Sequence, residues 1–260
     1  MVFQQNDSGT PDKRLKSAAG SYIFSRQKEL ILDLLAPHAG ERLLDVGCGT
    51  GSYLKLFKEK GCAVTGIDTA AAALDIAREK LGRNADLQLG EAEDLPFSDN
   101  EFDVVTMINV LELTHNPQKA IAEAIRVCRN RIFIGFVNKN SFVGTRRQMK
   151  EMFGFSLAAD IRFFSVGELK NMAEKIIGAP AIKWGSVIYL PAVVYDFFTE
   201  LEEVFPMAKN PFGAFAGVTF PIKYTYRTAE NPLLESFKLG DKSAAAATEA
   251  VRGILNGAEK

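Results

Sequence analysis

The chain has 260 residues, 47% hydrophobic and 24% charged, which suits one globular domain of the larger kind and excludes a disordered or fibrous chain. A formal net charge of -1 gives no electrostatic reason to expect nucleic acid, and no uninterrupted apolar run is long enough to span a bilayer. Residues 1–20 are polar and mixed in charge, without the apolar centre of a secretory leader, so the expected compartment is the cytoplasm.

Residues 1–20 read as a mobile arm. Ile23, Leu30, Ile31 and Leu34 then recur at helical spacing and predict a leading helix over 22–35, which Ala36-Pro37 stops. A first strand follows near 42–46, a first crossover helix over 52–60, a second strand over 63–68 and an alanine-rich helix over 70–81. A short third strand is expected at 87–89. The apolar run at 102–108 suits a central parallel strand buried on both faces. Pro117 opens the next helix at a position where its missing N–H does no harm, and 131–136 is the fifth strand.

The alternation breaks at 138–164, a first insertion, and resumes with a helix at 166–177 and a strand over 182–190. A second insertion, 191–210, carries Val193, Phe197, Leu201 and Val204 at helical spacing. The last strand is expected over 213–222, with Pro221 marking its end or an irregularity. Residues 228–260 form a tail with a short helix at 244–255. The predicted architecture is α/β: a doubly wound, mostly parallel sheet in one domain, 21–227. Cys48, Cys62 and Cys128 have no metal-ligand spacing and no neighbouring histidine, so they read as small buried apolar residues.

The segment Leu43-Leu44-Asp45-Val46-Gly47-Cys48-Gly49-Thr50-Gly51 carries the most functional information. A strand ends in an acid and passes into a helix across three alternate glycines, where open α/β sheets meet nucleotide-like ligands. Gly47 permits the sharp turn, Gly49 lets backbone approach a ligand, and Gly51 lets the next helix sit near the strand. The spacing is G-x-G-x-G, and Ser52 stands where a dinucleotide fingerprint needs glycine. Ala63–Asp68 then closes a second strand on an acid, at the distance where such folds put a carboxylate on a ribose diol.

Three further blocks complete a pattern: Gly90-Glu91-Ala92-Glu93-Asp94-Leu95-Pro96-Phe97, Asn100-Glu101-Phe102-Asp103-Val104-Val105 and Ile108-Asn109-Val110-Leu111-Glu112-Leu113. With these in order, residues 21–225 resemble the class I S-adenosylmethionine-dependent methyltransferases. The resemblance implies a seven-stranded sheet whose final two strands form an antiparallel hairpin at its edge. It also implies S-adenosylmethionine as cofactor and a set of residues around it. The turn bearing Gly47, Cys48, Gly49 and Gly51 runs under the methionine part, and Asp45 attracts its amino group. Asp68 accepts from both ribose hydroxyls, with Thr69 flanking the adenine. Glu91 and Ala92 meet the adenine edge, and Asn109 and Val110 end the fourth strand beside the sulfonium.

His115, just past the fourth strand, is the candidate general base for an acceptor that holds a proton at neutral pH, whereas His38 belongs to the opposite edge. The acceptor pocket is expected from Tyr22, Phe24, Arg146 and Tyr189, and the aromatic-rich insertions favour a small, hydrophobic acceptor. Two alternatives stay open at this level. One is a protein of the same fold that binds S-adenosylmethionine without turnover. The other is a nicotinamide-dependent oxidoreductase, which the glycine spacing disfavours.

Overall fold

In chain order the elements are α1 (Ala18–Leu35), β1 (Arg42–Val46), α2 (Ser52–Glu59), β2 (Ala63–Asp68), α3 (Ala71–Leu81), β3 (Asp86–Leu89), β4 (Phe102–Ile108), α4 (Pro117–Val127), β5 (Cys128–Val137), α5 (Val166–Ile177), β6 (Lys183–Val187) and β7 (Phe215–Pro221). The computed structural model describes residues 17–82, 85–141, 162–178, 180–190, 195 and 206–222. The arm up to residue 16, most of both insertions (with Arg146 and Phe197) and the tail with its helix at 244–255 lie outside the described residues. Among the described residues no helix is long and apolar enough to cross a membrane.

Three boundaries differ from expectation for identifiable reasons, the first being that β6 stops at Val187, short of the predicted 190, where Ile188 turns to φ +69°. α1 starts at Ala18, inside the predicted arm, because the Ser17 hydroxyl accepts from Gly20 N–H at 3.0 Å and caps the helix. β5 starts at Cys128, directly off α4, where the sequence predicts a strand only from residue 131. Its first residues are not a clean apolar run: Arg129 and Asn130 are exposed and serve the sheet's edge instead. α5 matches 166–177, fixed by a capping box in which Ser165 and Glu168 each satisfy the other's backbone N–H.

The seven strands pair in the order β3-β2-β1-β4-β5-β7-β6. The first five are parallel to their neighbours, and β7 runs antiparallel between β5 and β6. Alternate side chains feed two cores. Leu44, Val105, Ile132, Ile134 and Val218 pack under α4 and α5. Leu43, Val64, Val104 and Phe133 pack under α1, α2 and α3.

α1 approaches the sheet over a row of glycines. Gly135 and Gly185 both pair with Gly217 across three strands. A Cβ added at Gly217 would press on Phe133 and Leu34, and one at Gly185 on Leu30 and the Met207 carbonyl. Removing side chains from this row makes room for Leu30 and Leu34 of α1.

At the amino edge of the sheet, Arg131 fastens the other end of α1. Its guanidinium donates to Leu35 O at 2.9 Å and Ala36 O at 3.0 Å, satisfying carbonyls at the helix end. It also takes both Glu41 oxygens, at 2.7 and 2.8 Å. Partial burial opposes ionisation of Glu41, but the Arg131 hydrogen bonds win and hold its carboxyl below the ordinary range. Arg131→Ala is therefore expected to destabilise the protein by roughly 2–4 kcal/mol in urea unfolding at neutral pH. A carboxyl with a depressed folded-state pKa stabilises above its unfolded value and loses that contribution as pH falls through the folded one. The gap between wild type and variant should therefore narrow in acid. A gap that stays constant would remove Glu41 from the account.

Candidate cofactor site

The glycine turn between β1 and α2 stands at the carboxyl edge of the sheet, where crevices form in open α/β folds. Gly47, Gly49 and Gly51 have φ of +71°, +52° and +76°, the left-handed region that side chains rarely adopt. A Cβ at Gly47 would also collide with Val110. Gly47 N–H and Cys48 N–H both donate to Ile67 O, at 2.7 and 3.1 Å, and Gly49 N–H donates to Asp68 Oδ2 at 2.7 Å. Gly51 makes room for Ala77 and Leu81 of α3, 3.1 and 3.0 Å from an added Cβ, where the sequence expectation was a close strand. Cys48 is buried, and burial raises its thiol pKa, so it packs as an apolar residue.

Two carboxyls flank the turn in different environments. Asp45 is 1% exposed, beside Gly66 and Thr106 in register on β2 and β4. Thr106 Oγ1 donates to Asp45 Oδ1 at 2.6 Å. Burial raises the Asp45 pKa to about 7, the Thr106 hydrogen bond opposing and the neighbouring Asp68 charge adding to it. Asp68 is half-buried at the end of β2, and its Oδ1 accepts from Ala70 N–H at 2.9 Å. The two amide contacts use one lone pair on each oxygen and leave each able to accept again. Thr69 beside it is exposed.

After β3, Glu91 is exposed and Ala92 buried, in a turn closed by Asp94 N–H on Glu91 O at 3.3 Å. Glu93 Oε1 accepts from Asn116 N–H at 3.2 Å, so this acid has a structural partner. Arg126, which sequence reasoning passed over, grips the segment that follows: it donates to Leu95 O, Phe97 O and Asp99 Oδ1 at 2.9, 2.7 and 2.9 Å. Asp103 likewise serves the amino edge, accepting from Arg42 N–H at 2.9 Å and from Arg129. At the end of β4, Asn109 has φ +56° and its Oδ1 is buried without a hydrogen-bond partner. Val110 O accepts from Leu113 N–H at 2.9 Å, so Val110 meets the turn chiefly through its side chain against Gly47. His115 is exposed on the loop before α4, whose N-cap is Asn116. His38 is exposed between α1 and β1 at the opposite edge.

The amino-terminal half of α1 reaches this edge. Phe24 packs on Tyr53, ring centres 5.3 Å apart, and Tyr53 donates to the buried Gln27 Oε1 at 2.9 Å. Burial raises the Tyr53 pKa and the Asp45 charge adds to it, which places this hydroxyl in the field of the buried acid. Tyr22 packs on Tyr195 at 5.1 Å, and the Tyr195 hydroxyl accepts from Leu190 N–H at 3.1 Å. The Tyr189 hydroxyl donates to Ser186 O and Pro206 O, which holds it to the backbone. Gln27, Tyr53 and Thr106 escaped sequence reasoning because they carry no motif; only proximity to Asp45 marks them.

Residues 44–133, spanning the glycine turn, both acids and the end of β4, match the family model described as a methyltransferase domain. Over this segment the chain carries a methyltransferase domain, and the proteins it is similar to include S-adenosylmethionine-dependent methyltransferases. It is 36% identical over 117 residues to the malonyl-[acyl-carrier protein] O-methyltransferase of Serratia marcescens, 43% of this chain and 46% of that one. The same identity over 116 residues relates it to a ubiquinone biosynthesis O-methyltransferase of Thiobacillus denitrificans, 42% of this chain and 50% of the relative. The match thus spans about half the length of these curated relatives. A Thermotoga maritima S-adenosylmethionine-dependent methyltransferase, described as a possible histamine N-methyltransferase, shares the fold with TM-score 0.66 at 23% identity, over 82% of this chain and 95% of that one.

The residues fit the family's cofactor. Gly47 and Gly49 keep side chains out of the cradle, Asp45 and Asp68 supply acceptors, and Asn109 brings an unmet oxygen to the same edge. This methyltransferase domain also carries a cost at the site. A carboxyl whose folded pKa is raised from 3.8 to about 7 adds stability that is complete below the lower value and lost as pH rises through the upper one. Asp45→Asn, which keeps an acceptor for Thr106, should therefore be more stable than wild type by roughly 2–4 kcal/mol at about pH 8, with the gain vanishing near pH 4. Thermal melts across that range would show it. A variant less stable than wild type at high pH would mean Asp45 is ionised and satisfied.

Proposed function

We propose that the chain transfers a methyl group from S-adenosylmethionine to a small acceptor of hydrophobic character. The observation that carries this is the joint placement of the glycine cradle with a buried acid on one side and an amide-held acid on the other. Asp68, already oriented by Gly49 and Ala70, directs its free lone pairs to the ribose hydroxyls. Asp45 receives the ammonium, whose positive charge favours the ionised carboxyl that burial resists. The N-terminus of α2 presents backbone donors to the carboxylate. Thr69 flanks the adenine, and the exposed Glu91 accepts from its amine while Ala92 backs the ring.

When bound, S-adenosylmethionine supplies an activated methyl on a cationic sulfur with a good thioether leaving group. The protein's part is alignment and exclusion of water. Tyr22, Phe24 and Tyr189 are assigned to the apolar side of the acceptor pocket, with Tyr195 packed on Tyr22, while Arg146, assigned to the same pocket, lies outside the described residues. For an acceptor that must lose a proton, His115 is exposed at the carboxyl edge, free of burial that would block access. Support for a small acceptor comes from relatives whose names specify quinone and acyl-carrier-bound substrates.

Calorimetry with S-adenosylmethionine and NAD side by side, followed by labelled-methyl transfer to fractionated extract, tests the whole assignment. Asp68→Ala should lower S-adenosylmethionine affinity by about 2 kcal/mol or more. Unchanged affinity would remove the ribose from Asp68, binding of NAD alone would replace the activity, and tight binding without any transfer would leave a non-catalytic binder.

A further inference from the structure

Glu112 takes no part in the chemistry above, yet it is the most deeply buried glutamate among the described residues, 1% exposed. It lies in the turn after β4, and its Oε1 accepts from Val137 N–H at 2.7 Å, at the carboxyl end of the adjacent β5. Its main-chain oxygen accepts from Arg162 N–H at 3.2 Å. Oε2 is buried and has no hydrogen-bond partner. Three residues earlier, Asn109 Oδ1 is in the same condition. Two buried oxygens without donors therefore sit on one short turn, Asn109 to Leu113, at the carboxyl edge.

No described lysine or arginine forms an ion pair with Glu112. Of the charged groups on the flanking segments, Lys139 is committed to Glu168 at 3.2 Å, Arg162 offers its main-chain N–H, and His115 is exposed in the loop beyond. Burial raises the Glu112 pKa to about 7 against hydrogen bonds from the main-chain N–H groups of Val137 and of Glu112 itself, so the group is poised between its two forms at neutral pH. A buried carboxylate with an unmet oxygen is stabilised by a nearby positive charge. A sulfonium brings no hydrogen-bond donor, so its attraction to such oxygens is that of charge alone.

We propose that Glu112 is the buried counter-charge to the sulfonium of S-adenosylmethionine, and that it lets the site distinguish the cationic methyl donor from its uncharged product, S-adenosylhomocysteine. This rests on the cofactor placement proposed above, with the sulfonium beside Asn109. The ammonium, carboxylate, ribose and adenine are common to both compounds, so the contacts of Asp45 and Asp68 cannot separate them. Charge on sulfur can. At an effective dielectric of about 20, one unit charge changes the affinity for another by about tenfold or more out to roughly 10 Å. Glu112 acts here as a positioning residue for charge, with no contact to the transferred methyl.

The test is calorimetry of the full chain with both compounds, for wild type and Glu112→Gln, which keeps an oxygen for Val137 N–H. The variant should bind S-adenosylmethionine about tenfold more weakly and S-adenosylhomocysteine within about twofold of wild type. Equal losses for both would reduce Glu112 to a prop for β5, and no loss for either would also overturn the proposal. A second measurement needs no variant: difference infrared spectra of wild type should show a larger loss of protonated carboxyl absorption with S-adenosylmethionine than with S-adenosylhomocysteine, because Asp45 answers the ammonium of both compounds and Glu112 only the sulfonium. Identical spectra from two bound compounds would sink the idea while leaving the cofactor site intact. If neither compound binds, the cofactor placement falls first and takes this inference with it.

Discussion

The amides of Gly47, Cys48 and Gly49 all donate to the end of β2, two to Ile67 O and one to the Asp68 carboxylate. This small fan of hydrogen bonds fixes the turn that everything at the carboxyl edge is built around. It holds the glycines in left-handed conformations, starts α2, and brings Val110 down against Gly47. The same contacts orient Asp68, so one set of backbone donors shapes the cradle and aims its acid. Because main chain does the holding, the identity of neighbouring side chains matters less than the absence of a Cβ.

Stability and function are distributed to opposite edges of the sheet. The amino edge carries the clamps: Arg131 on Glu41 and the end of α1, Arg126 on the segment after β3, and Asp103 on Arg42 and Arg129. Each of the three makes several hydrogen bonds. The carboxyl edge carries the liabilities: positive φ at Asn109, two unmet oxygens, and two buried acids whose pKa is pushed up to about 7. Asn100 repeats the positive φ and the unmet oxygen at the amino edge, but both burial-raised acids stand at the carboxyl edge, where a charged ligand is expected to compensate them.

The succession of strands and helices, the parallel core and the turn were legible because hydrophobic periodicity and glycine spacing report local geometry directly. Ser17 was not read as a cap, since one hydroxyl among polar residues has no distinguishing pattern. The acidic and aromatic blocks after β3 were legible as a family signature, yet much of their physical work is holding loops: Glu93 carries Asn116, and Asp103 carries Arg42. The unmet oxygen of Glu112 could not be read at all, because sequence shows neither burial nor which lone pairs are filled. Gln27 and Tyr53 meet from positions 26 residues apart, a coupling visible only after α1 is laid on the sheet.

The glycine row under α1 has a consequence for how the pocket could diversify. α1 is pinned at its carboxy-terminal end by Arg131, and its carboxy-terminal half rests on Gly185 and Gly217 through Leu30 and Leu34. Tyr22 and Phe24 stand at the far end, held by ring contacts to Tyr195 and Tyr53, so the helix behaves as a lever with its fulcrum on bare backbone. A methyl group added beneath the fulcrum would tilt the aromatic tip, changing what fits at the acceptor pocket proposed there while leaving the glycine turn untouched. Selectivity could thus drift through residues that never meet a ligand.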